Sequence, residues 1–126
     1  MTAKAQELFS TEDGRLAMTE AEGRVSTTVA DLAGEPVQQA RMAFSELLSS
    51  MQALAARFET LGGANRPIEV LLGFAPEGEQ LYAAVTEREL TFVEIAPDGV
   101  GRRFLCGPYP VDEARRMVEA VIKANA

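Results

Sequence analysis

The run from Val37 to Leu61, VQQARMAFSELLSSMQALAARFETL, constrains this chain more than any other stretch. Val37, Phe44, Met51 and Phe58 recur at intervals of seven, and Ala40, Leu47, Leu54 and Leu61 repeat the interval three residues later. Leu48 and Ala55 widen the apolar stripe at the next position. This period gathers the side chains on one face of a helix, whereas a strand would scatter them over both of its faces. Pro36 suits a first helical turn, and Gly62-Gly63 suits a left-handed stop at the far end. The spacing predicts one amphipathic helix over 37–61, a rod of roughly 37 Å.

The segment before it supports two readings. Residues 1–13 fray or form a turn, with Ser10 as the cap of a helix whose first acids are Glu12 and Asp13. Met18, Ala21, Val25, Thr28 and Leu32 then follow spacings of three and four, as in a helix that partners 37–61. Against this, Gly14 and Gly23 each cost a helix about 1 kcal/mol, and Val25-Ser26-Thr27-Thr28-Val29 favours a strand. A β-hairpin turning at Ala21-Glu22-Gly23, with Leu16, Met18, Val25, Thr27 and Val29 inward, is the competing arrangement. The helical spacing carries the greater weight, so residues 14–62 are expected to form a helical region, as a helical hairpin.

Beyond Gly63 the period changes to two. Ile68, Val70, Leu72 and Phe74 alternate with their neighbours, and Leu81, Ala83 and Val85 repeat the pattern after the turn Pro76-Glu77-Gly78. Leu90–Ile95 and Arg102–Cys106 supply two more runs, separated by Pro97-Asp98-Gly99. Connections this short allow only antiparallel neighbours, so 67–107 is expected to be a four-stranded meander. Pro110 opens a last helix over 110–125, with Val111, Ala114, Met117, Val118 and Val121 as its buried stripe. The expectation is a single α+β domain over 1–126, without internal repeats.

Composition narrows the function. A net charge of −7 opposes nucleic acid and anionic membrane surfaces, both of which need clustered cations. No apolar run has the length of a membrane span, and no leader precedes the first polar residues, so the expected compartment is the cytoplasm. Cys106 is the one cysteine and there is no histidine, which removes the usual zinc ligands and the usual partner of a nucleophile. No cofactor, metal or catalytic residue is expected. Cys106 reads as a small buried hydrophobe, on the same side of its strand as Phe104.

Two readings of function follow. The first is a non-enzymatic protein-binding module, such as a small acidic chaperone, adaptor or inhibitor, acting as a homodimer. Its partner-binding residues are expected to be Phe44, Leu48 and Met51 on the long helix, with Arg103, Arg115 and Arg116 as a positive patch for an acidic partner. Leu71, Tyr82, Val93 and Ile95 leave the second sheet face partly apolar, as a surface for either the long helix or a second subunit. The other reading is an anionic-ligand binder or enzyme, with Tyr82, Arg103 and Tyr109 in a pocket between sheet and last helix.

Overall fold

A computed structural model of the chain describes residues 6–10, 16–31, 33–58 and 67–125. Eight strands form one antiparallel sheet in sequence order. They are β1 (Gln6–Ser10), β2 (Leu16–Ala21), β3 (Arg24–Ala30), β4 (Pro36–Ala43), β5 (Ile68–Phe74), β6 (Gln80–Val85), β7 (Glu89–Ile95) and β8 (Arg102–Pro110). Helix α1 (Phe44–Arg57) follows β4, and α2 (Val111–Ala124) follows β8.

This architecture overturns the expected helical region over 14–62. The hairpin reading describes 16–30: β2 and β3 pair along their whole lengths, and Leu16, Met18, Val25, Thr27 and Val29 are fully buried. Glu22 and Gly23 both have positive φ, 54° and 78°, as a two-residue turn between twisted strands requires. Ser10 is the last residue of a strand, and the helix start expected at Glu12 and Asp13 lies outside the described residues. Residues 37–43 are also a strand, because the β-branched run of β3 has a second edge and β4 supplies its hydrogen-bonding partner. Ala40 and Met42 then point into the core while Gln39 and Arg41 point out. The helix begins only at Phe44, and its stripe of Leu47, Met51 and Leu54 is buried. Leu61 and the Gly62-Gly63 stop lie outside the described residues. The four strands from Ile68 onward form half of the sheet, not a sheet of their own.

The chain thus repeats one plan, four antiparallel strands and then a helix of 14 residues. In both halves the helix starts directly from the fourth strand, with no side-chain cap at its N-terminus. The orphan amide of the first helical residue is satisfied by the turn between the second and third strands of its own half. Phe44 N–H donates to the Gly23 carbonyl at 2.8 Å, and Val111 N–H donates to the Arg88 carbonyl at 3.0 Å.

The halves meet narrowly, since β4 and β5 share one register pair, Arg41 with Phe74. Gly73 makes that approach possible. A Cβ there would lie 2.8–2.9 Å from the backbone N, O and C of Arg41, and its φ of +150° already favours glycine. Both helices cover one side of the sheet, and α2 touches both edge strands, β1 and β8, so the sheet curls around the helical layer. A single apolar cluster fills the space between. A polar bridge joins the halves on this inner side. Gln38 of β4 donates to the Glu94 carboxylate of β7, which also accepts from Arg103 Nε at 3.0 Å and Nη2 at 3.1 Å.

Candidate functional site

The outward face of the sheet differs between the two halves. In the first half its cross-strand rows are polar apart from Ala17: Thr19–Ser26–Arg41 and Ala17–Thr28–Gln39. In the second half a straight row of Leu71, Tyr82, Val93 and Phe104 runs across all four strands. Ile95 and Phe74 flank it on β7 and β5. Phe104 is 59% exposed and Phe74 48%, so both rings face solvent. Arg102 and Glu69 stand on opposite sides of the row and form an ion pair across the face, between the two outer strands of that half. The side-chain hydrogen bond that Arg102 donates to Glu69, and then the charge of Glu69, hold the Arg102 guanidinium above its ordinary pKa.

A β-bulge creates this row. Phe92 pairs with Cys106, yet the next residue, Val93, pairs with Phe104, so Leu105 is the extra residue on β8. Side-chain parity therefore inverts between Cys106 and Phe104. Cys106 is buried on the inner side, and Phe104 stands outside. Arg103 is turned inward opposite Glu94, and Arg102 is turned outward, the reverse of what uninterrupted alternation predicts.

The residues expected to bind a partner are distributed as follows. Met51 is fully buried, and Phe44 and Leu48 are half-buried on the same helix, packed against the core. The four arginines of the two sequence doublets each have a partner of their own. Arg102 pairs with Glu69, Arg103 with Glu94 and Arg116 with Glu113, while the Arg115 guanidinium sits 4.7 Å from the centre of the Phe58 ring. None of these partnerships joins Arg103 to the helical pair. Tyr82 lies on the outward face and Tyr109 on the inward one, so these two rings and Arg103 line no common pocket.

Sequence reasoning missed two arginines. Arg24 on β3 and Arg41 on β4 stand on the outward face at the seam between halves. With Gln39, Phe74 and Pro76 they line a cleft of about 300 Å³. Neither belongs to an ion pair or donates a side-chain hydrogen bond among the described residues. Their only sequence signal was the alternation Gln39-Ala40-Arg41-Met42, which the longer heptad pattern masked.

A larger cleft of about 620 Å³ lies where β8, from Phe104 to Tyr109, faces Asp31 and Ala33 of the β3–β4 connection. Its walls are mostly apolar. One oxygen of Asp31 accepts the backbone N–H groups of Ala33 and Glu35, each at 2.9 Å, so this carboxylate serves its own turn. The cleft has room for a ligand without the convergent polar groups that would orient one. Among the described residues no three metal-ligating side chains cluster, and no helix is long and apolar enough to cross a membrane.

Comparison of the chain with protein-family models, with curated proteins and with solved structures finds no match.

Proposed function

We propose that this protein is a non-enzymatic interaction module that acts as a homodimer, in the manner of a small acidic chaperone, adaptor or inhibitor. The observation that carries this reading is the in-register apolar row Leu71–Tyr82–Val93–Phe104 on the sheet face away from the helices. The equivalent face of the first half is an internal control: the same architecture there carries Thr, Ser, Gln and Arg. An apolar face on a solvated sheet is costly unless something covers it.

A second copy is the occupant that fits. The chain carries −7, so two copies repel least where charges are few or matched, and across the row on this face Glu69 and Arg102 cancel each other. Four strands about 4.8 Å apart present a face some 20 Å across, and stacking two such faces buries on the order of 1,000 Å² in total. That area is at the low end for a specific dimer. Sedimentation equilibrium tests dimerisation directly. The wild-type protein is expected to be dimeric at tens of micromolar, and Phe104→Asp monomeric with an unchanged melting temperature. A monomeric wild-type protein across that range overturns the reading.

A further inference from the structure

We infer that the cleft at the seam of the two half-sheets is a carboxylate-binding site, built by Arg24, Arg41 and Gln39 and walled by Phe74 and Pro76. Its ligand is a carboxylate carried next to an apolar or aromatic group, as on an acidic segment of a partner protein. The inference rests on the reading of a protein-binding module and supplies its partner chemistry; its cations, Arg24 and Arg41, lie on the other half-sheet from the self-association row, which the cleft adjoins only through Phe74.

Charge comes first. In a chain of net −7, described arginines elsewhere on the sheet and on α2 are matched by an acid or a ring: Arg102, Arg103, Arg115 and Arg116. Arg24 and Arg41, like Arg88 in the β6–β7 turn, are left unmatched, and only these two are brought together on one sheet face. Arg24 lies opposite Ala43 and Arg41 opposite Ser26, which makes the arginines diagonal neighbours, about 7–8 Å apart at the backbone. Two guanidiniums at that spacing converge on one anion, and each offers a planar fork that matches a carboxylate. Gln39, two residues before Arg41 on the same face, donates from its amide Nε2 to Thr28 Oγ1 at 3.4 Å, and the second N–H of that amide is a further donor at the cleft.

The apolar wall decides which anion. Phe74 is 48% exposed and Pro76 is exposed, so the cations border hydrocarbon on one side. The wall is held in place by the seam itself, where Gly73 sets β5 directly against the backbone of Arg41. A ligand with a single negative charge and an adjoining apolar group satisfies both parts of the cleft. A phosphate would use the arginines alone, and a polyanion such as nucleic acid would meet the repulsion of the surrounding acidic surface.

The test is a titration followed by the backbone amide resonances of the intact ¹⁵N-labelled protein. N-acetylphenylalanine is the probe, its carboxamide the uncharged control and inorganic phosphate the competing anion. The acid is expected to shift the amides of Arg24, Gln39, Arg41 and Phe74 in a saturable way that weakens as salt rises. The carboxamide should leave them unmoved. Paired Arg24→Gln and Arg41→Gln substitutions should weaken binding roughly tenfold or more while leaving the melting temperature unchanged. Arg41→Lys should bind at an intermediate level, because it keeps the charge and loses the fork. The inference is overturned if acid and carboxamide bind alike, if phosphate binds more tightly than the acid, or if the paired variant titrates like wild type. Phe104→Asp, which targets self-association, should leave this titration unchanged, so the site and the dimer fail separately.

Discussion

At the scale of single residues, Gly73 carries the most consequence. Any side chain there must adopt φ near +150° and enter the backbone of Arg41, so Gly73→Ala should cost about 2 kcal/mol or more in urea denaturation. Thr27 acts in the opposite direction. It is fully buried, and its hydroxyl has no hydrogen-bond partner among the described residues. Thr27→Val keeps the shape and removes that cost, so it should raise stability by about 1 kcal/mol in the same measurement. Arg103 shows how structure changes an expectation. As an exposed member of a binding patch, its replacement by Glu would leave the melting temperature alone. Paired inward with Glu94, it should instead lower it, since two carboxylates would then face each other. Arg102 is different again. Its raised pKa means that the guanidinium's side of the pairing with Glu69 holds through neutral pH and is lost only in strongly alkaline solution, so Arg102 itself adds no pH dependence near neutrality.

Among the elements, the weak junction is the one between β4 and β5. With one register pair there, the inner bridge from Gln38 through Glu94 to Arg103 and the shared helical layer hold the halves together. Glu94 is the centre of that bridge, with its side chain 15% exposed. Glu94→Ala should cost on the order of 1–2 kcal/mol by removing charge-assisted hydrogen bonds. It should also accelerate amide exchange along β4 more than in the hairpin β6–β7, which pairs over its full length. Equal acceleration in both places would deny the bridge its junction role. The helices illustrate a related economy, in that each has its first amide satisfied by a turn of its own half.

At the scale of the whole molecule, the duplicated plan matters because it leaves two equivalent outward faces with opposite chemistry. Placing a charge on each tells them apart. Phe104→Asp on the apolar face should abolish dimerisation, whereas Thr28→Asp on the polar face should not, both read by sedimentation. The seam between these faces holds the Arg24–Arg41 cleft, so one outward surface offers an apolar field and a cationic margin side by side. A dimer stacked on the apolar field would display two such margins, giving a partner with two acidic segments the advantage of linked binding.

Much of the second half was legible in the sequence because its information is local. Alternation in Ile68–Phe74, Gln80–Val85 and Glu89–Ile95, the turn residues between them, and the stripe Ala114, Met117, Val118, Val121 each act within a few neighbours along the chain. The first half was not legible in the same way. Between Val37 and Ala43 the heptad positions fit a helix, and only pairing with β3, distant in sequence, makes a strand the better state by satisfying its backbone. The repeated plan was invisible as well, since a fold can be duplicated by its pattern of burial without any likeness of residues. Burial of a single stripe is dictated by residues in sequence order. The partners of Arg102 and Arg103, the bulge at Leu105 that turns Phe104 outward, and the meeting of Arg24 with Arg41 depend on register between strands, and register is a property only the assembled sheet possesses.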